Sequence, residues 1–231
     1  MAEHSAVADF EFKGLILDYG EVLSLKPTTE QVERMAAIFR ISASQFMKLY
    51  DRNRREYDRG DLDAERYWFS FADEPSLRLR ADQIPLLRAW DVEMWSNTNS
   101  AMVDWLRAVH LSGVRTALLS NMPGDMIARV RQSFSWINDF DCTVFSYEER
   151  LAKPEFGIYE RCLARLGTAP AQTLFVDDRE VNARAARMFG IQAIRFESLT
   201  QLRTELQKLC FRILPVVSEK SIMVRPNSAQ L

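Results

Sequence analysis

The chain has 231 residues, 47% of them hydrophobic, with 30 basic against 32 acidic side chains and a formal charge of −2. That length suits one large domain, or a main domain with a small inserted one, and the balanced charge excludes a polybasic binder of nucleic acid or of membrane surfaces. No segment approaches membrane-spanning length and no basic-then-apolar leader opens the chain, so a cytoplasmic protein with a small-molecule partner is expected, with neither membrane nor nucleic acid involved.

Residues 1–9 read as a loose leader. Phe12 to Leu17 is too short and apolar for a helix and reads as a buried strand of the parallel type, ending on Asp18 with Gly20 close behind. From Pro27 the period turns helical: Thr28-x-x-Gln31 and Ser42-x-x-Gln45 have the form of capping boxes, each followed by apolar residues on one face. Arg52 to Gly60 is dense in charge and ends in a turn. Ala64, Tyr67, Trp68 and Phe71 share a helical face that Pro75 stops, and Ile84 to Met94 is helical again. Residues 27–95 thus form a helical unit inserted after the first strand.

Ser96 to Asn99 supply a cap for a helix closed by Gly113. Four more strands follow: Val114–Leu119, Cys142–Phe145, Thr173–Val176 and Ile191–Phe196. Helices fall between them from Pro123 to about Phe134, from Ile158 to Leu166 and from Val181 to Phe189, with a last one over Leu199–Leu209. Alternating strand and helix predicts an α/β core over residues 10–26 and 96–214, with a mostly parallel five-stranded sheet covered on both faces. Residues 215–231 form a tail in which Val216–Val224 has the composition of an edge strand or a partner-binding segment. Cys142, Cys162 and Cys210 match no zinc or redox spacing and read as reduced thiols.

Sites in open α/β sheets lie at the carboxyl ends of strands. Here those ends carry Asp18, Ser120 with Asn121, Lys153 shortly after the third strand, and Asp177 with Asp178. The types suit phosphoryl transfer: a carboxylate nucleophile, a hydroxyl and amide to hold phosphate oxygens, a lysine to offset charge. Asp18, a backbone carbonyl near it and one of Asp177 or Asp178 would make a partial oxygen shell for magnesium. Singly, each has a bland explanation; Ser120, for example, caps a following helix as readily as it binds a ligand. Their joint order is far less expected by chance.

These residues resemble the motifs of the haloacid dehalogenase superfamily, in the subgroup with a helical cap after the first strand. The resemblance spans Phe12 to about Leu209 and rests on Leu15–Leu23, Ala117–Asn121, Lys153-Pro154-Glu155 and Phe175-Val176-Asp177-Asp178-Arg179-x-x-Asn182. It implies a Rossmann-like three-layer core and a magnesium-dependent phosphatase acting on a small phosphorylated metabolite, such as a sugar phosphate, as monomer or homodimer. By the same resemblance Asp18 and Lys153 are catalytic, Ser120 and Asn121 bind substrate, and Mg2+ is held by Asp18, the Gly20 carbonyl and Asp178, with Asp177 and Asn182 in support. Arg54, Arg55, Tyr57, Arg59 and Trp68 surround the Gly60 turn, where a cap loop should face the site; Arg55 and Tyr57 are expected to meet substrate, the basic groups a second anion.

The chain departs from the resemblance at Gly20. Most phosphatases of the superfamily carry there an aspartate that protonates the leaving group and then activates water, work of the kind that contributes about 10²–10⁴-fold. Its loss predicts a preference for aryl or anomeric phosphates over alkyl ones, unless Glu21 substitutes. Two other readings stand beside the phosphatase: a haloacid dehalogenase, whose motif resembles Asp-x-Tyr-Gly whereas Tyr19 follows Asp18 directly, and a catalytically weak binding or regulatory protein. A receiver domain would place its aspartate on a later strand and lack the insert.

Overall fold

The computed structural model describes residues 12–73 and 77–209. The leader, Pro75, Cys210 and the segment Val216–Val224 lie outside them. In chain order the elements are β1 (Gly14–Leu17), α1 (Thr29–Phe39), α2 (Ala43–Arg52), α3 (Arg54–Arg59), α4 (Ala64–Phe69), α5 (Ile84–Met94), α6 (Ser100–Leu111), β2 (Arg115–Ser120), α7 (Gly124–Ser133), β3 (Cys142–Phe145), α8 (Ser146–Glu149), α9 (Phe156–Leu166), β4 (Thr173–Asp177), α10 (Glu180–Met188), β5 (Gln192–Arg195) and α11 (Leu199–Lys208).

All five strands pair in parallel, in the order β3-β2-β1-β4-β5. Alternation along β1 sends Leu15 and Leu17 into one core with residues of α6, α7 and α11, and Ile16 into another with α9 and α10. Burial on both sides is why β1 reads as an unbroken apolar run. The result is the Rossmann-like three-layer α/β core, with β1 central and Asp18 just beyond its carboxyl end.

Helices α1 to α5 build a separate apolar cluster around Phe46, Tyr67, Trp68 and Phe71. Both predicted capping boxes form, on Thr28 and Ser42. The chain enters and leaves this unit through a paired neck: Leu25 donates to the Asn97 carbonyl at 2.6 Å, Asn99 to that of Leu23 at 2.8 Å, and Ser24 bridges Thr98. Trp95, just before the neck, packs against both the inserted cluster and the core.

Boundaries differ from the sequence reading in small ways. The first strand starts at Gly14, although the Lys13 backbone already bonds Gln172 and Arg115, so the difference is one of end assignment. The charged stretch 52–60 holds a short helix, α3, that Gly60 ends at φ +79. Helix α8 was not expected; four residues are too few to show a period. Among the described residues no helix is long and apolar enough to cross a membrane.

Candidate active site

Strand β1 delivers Asp18 into a cavity of about 300 Å³ between the sheet and the inserted helices. The Asp18 backbone stays in register by donating to Val176 at 3.0 Å, and its Oδ1 accepts from the Tyr19 N–H at 2.7 Å. Lys153, whose side chain is 1% exposed, reaches in from the loop after α8. Its Nζ lies 2.7 Å from Asp18 Oδ1 and donates to Asp177 Oδ2 at 2.6 Å and to the Leu119 carbonyl at 3.0 Å. Burial acts to lower the Lys153 pKa, but the Asp177 and Asp18 carboxylates outweigh it and hold the ammonium well above its ordinary range.

Asn121 clamps the loop that carries this lysine: its Nδ2 donates to the Lys153 carbonyl at 3.0 Å and its Oδ1 accepts from the Lys153 N–H at 2.9 Å. Asp177 is saturated, accepting from Lys153, from Asn182 Nδ2 at 3.0 and 3.1 Å, and from the Arg179 N–H at 2.8 Å. Asp178 lines the cavity beside Asp18, with Ser120 at the end of β2.

One carboxylate oxygen each from Asp18, Asp177 and Asp178 lie within 4.8 Å of one another. Their electrostatics are those of a site short of positive charge. Asp18 is pushed up, first by burial and then by Asp177 and Asp178, against Lys153. Asp178 is raised to about 6 by burial, Asp177 and Glu21. An all-oxygen, anionic set fits a hard divalent cation. With Asp177 engaged elsewhere, Asp18 and Asp178 have free capacity, and the Gly20 carbonyl accepts from no described group.

The sequence pattern described as "Hydrolase: haloacid dehalogenase-like hydrolase" matches residues 8–190. The chain belongs to that family. A sesquiterpene phosphatase of Aspergillus oryzae, astK, is 28% identical over 111 residues, 48% of this chain and 57% of that one. The (S)-2-haloacid dehalogenase of Xanthobacter autotrophicus is 26% identical over 118 residues, 51% of this chain and 47% of that one. The matches span about half the length of these two relatives. A haloacid dehalogenase family enzyme of Bacteroides thetaiotaomicron, bt-2542, solved with magnesium and inorganic phosphate, shares the fold at a TM-score of 0.65 and 22% identity, over 83% of this chain and 98% of that one.

In this hydrolase the inserted helices face the site differently from expectation. Arg55 and Tyr57 do not line the cavity: Arg55 is half exposed and pairs with Glu155 at 2.8 Å, and Tyr57 stacks on Tyr67 with ring centroids 4.4 Å apart. Arg54 and Asp58 line it instead, with Tyr50, Met47 and Trp95. The reason is helical phase. Arg54 and Asp58, four apart on α3, point inward and bond each other at 2.8 Å, whereas Arg55 and Arg59 share the outer face and both meet Glu155. Nor is Arg54 available to a second anion, since Asp58 and Asp91 hold it. Two apolar groups unmarked by any motif, Met122 and Met126, complete the wall.

Proposed function

We propose that this hydrolase is a magnesium-dependent phosphatase that transfers the phosphoryl group of a small metabolite to Asp18 and then to water. The observation that carries the reading is the carboxylate cluster: three carboxylate groups gather oxygens within 4.8 Å of one another, and one ammonium meets two of them. Collecting like charges in a buried site is costly without a cation. A dehalogenase of the superfamily does not need a metal site at Asp177 and Asp178. The named activity of astK and the magnesium and phosphate bound to bt-2542 support the same reading.

Asp18 attacks phosphorus from the floor of the cavity. Ser120 offers a hydroxyl to the phosphate oxygens, and the Lys153 ammonium offsets charge on both nucleophile and phosphate. Asn121 acts on substrate through Lys153, whose loop it holds. Asp177 and Asn182 fix the lysine from the other side. Magnesium would be held by Asp18, the Gly20 carbonyl and Asp178; when bound it supplies positive charge that neutralises the phosphoryl oxygens. The inserted helices form the lid that excludes water.

The test is a panel of sugar, acid, nucleoside and aryl phosphates assayed for phosphate release with and without magnesium, beside 2-chloropropionate assayed for chloride. Magnesium-dependent phosphate release is expected. Chloride release without magnesium, and no phosphate release, would make the chain a dehalogenase.

A further inference from the structure

Gly20 leaves the site without a carboxylate at the position where the superfamily's phosphatases carry their acid and base. The vacancy is real: a Cβ built at Gly20 would find only Trp95 within 4 Å, at 3.9 Å. Directly after it, Glu21 is held at φ +52 with its N–H on Ser24 Oγ at 3.2 Å. Glu21 lines the same cavity as Asp18 and Asp178, and its charge acts on Asp178.

A second carboxylate enters the cavity from the lid. Asp58 is 6% exposed and lines the same space as Asp18 and Ser120. Its position is fixed relative to the core: the buried Ser146 hydroxyl donates to the Asp58 carbonyl at 2.6 Å and accepts from the Met122 N–H at 3.1 Å. Met122 follows Ser120 and Asn121, so the lid is tied to the phosphate-side loop at Asp58 itself. Asp58 Oδ1 takes the Arg54 Nε at 2.8 Å, and no described group bonds Oδ2. That oxygen is the one left for a proton or a ligand.

We propose that Asp58 is the general acid and base of this hydrolase, replacing the carboxylate absent at Gly20. The assignment rests on the phosphatase reading above. In the first step Asp18 forms a bond to phosphorus, the bond from phosphorus to the leaving oxygen breaks, and that oxygen takes the proton of Asp58 Oδ2 to depart as an alcohol. In the second, water attacks phosphorus, Asp58 takes the water proton, and the Asp18–phosphorus bond breaks to release hydrogen phosphate. Both carboxyl groups return to their starting states.

The surroundings suit that work. Burial raises the Asp58 pKa to about 6; Arg54 on its own helix and Arg179 before α10 oppose this, and Asp91 on α5 adds to it. The Tyr67 phenol on α4 is a further titratable neighbour, and Tyr50, Asp51, Glu21 and Lys153 line the same cavity. A carboxyl group that titrates near neutrality can give and regain a proton within one turnover. On this assignment alkyl phosphates are turned over with acid assistance, in contrast to the expectation drawn from Gly20 alone.

The test compares kcat/KM for glycerol 3-phosphate and 4-nitrophenyl phosphate. Asp58→Asn should lower it by about 10²-fold or more for the alkyl ester and by less than about tenfold for the nitrophenyl ester, whose leaving group needs no proton. Gly20→Asp added to Asp58→Asn should restore the alkyl ester. Asp58→Asn should also release a burst of nitrophenolate, because water attack slows. Arg54 keeps Asp91 in this variant, and the wild type provides a measurement free of any folding defect: across phosphates of rising leaving-group pKa its kcat/KM should fall only shallowly. A steep fall, an equal loss on both esters, or a leaving-group-dependent loss in Glu21→Gln but not in Asp58→Asn would overturn the assignment. No phosphate release by the wild type from these esters or from any phosphate of the panel above would overturn the phosphatase reading and this proposal with it.

Discussion

Lys153 shows how much of a site depends on one residue's surroundings. Its ammonium is shared between Asp18 and Asp177, at 2.7 and 2.6 Å, inside a region almost closed to water. The two aspartates that follow one another have different surroundings: Asp177 accepts from Lys153, Asn182 and the Arg179 N–H, whereas Asp178 lines the cavity. Asp178→Asn should raise the magnesium concentration needed for half-maximal activity by tenfold or more while leaving the fold intact, as a metal titration of both proteins would show; superimposable curves would remove Asp178 from the cation site. Asp177→Asn should act on stability instead, because it weakens a buried ion pair. Breaking such a pair costs about 3–5 kcal/mol, and the loss here falls toward the low end because Asp18 still holds the ammonium. Urea denaturation measures it, and an unchanged midpoint would contradict this account of Asp177. The sequence placed Asp18, Ser120, Lys153, Asp177 and Asp178 at the site because each ends or follows a strand. It had no means to show that both ends of the Asn121 amide are taken by the Lys153 backbone, since those residues are 32 apart in the chain.

At the scale of elements, the phase of α3 decides which of its side chains the inserted helices turn toward the cavity. Read as a charged loop, residues 52–60 offered Arg55; as a helix they turn Arg54 and Asp58 inward and Arg55 and Arg59 outward. Six helical residues are too few for an apolar stripe to announce itself, and the phase is set by Tyr57 packing on Tyr67. Longer elements were legible: α1 and α2 from their capping boxes, α9 from its apolar face and the glycine at its end, φ +70. The lid meets the core through polar ties, Arg88 on α5 with both Asp125 oxygens at 2.7 Å and Ser146 between Asp58 and Met122. Ser146→Ala would leave the buried Met122 N–H without a partner, at a cost of about 1–3 kcal/mol, and would free Asp58 from the phosphate-side loop. Lower thermal stability together with a larger fall in kcat/KM for alkyl than for aryl phosphates is expected, measured by calorimetry and the two-ester assay. A stability loss with equal effects on both esters would limit Ser146 to holding the fold.

For the whole molecule, the parallel sheet explains why so scattered a set of residues becomes one site. Placing β1 between β2 and β4 brings the ends of three strands together, so Asp18, Ser120 and Asp177 meet although they are far apart in sequence. Buried strands read as apolar runs, which made the core architecture accessible before any coordinates. The docking of the lid was not, because it depends on ion pairs between residues 37 to 100 positions apart. The central claim is that phosphate passes through a bond to Asp18, and rapid mixing with a substrate followed by acid quench and peptide mass measurement tests it most directly. The account predicts one phosphoryl group on the peptide containing Asp18, formed at the rate of turnover and absent from Asp18→Asn, which should release no phosphate above background. An unmodified Asp18 peptide during steady turnover, or an Asp18→Asn protein that retains a substantial fraction of the wild-type rate, would contradict it.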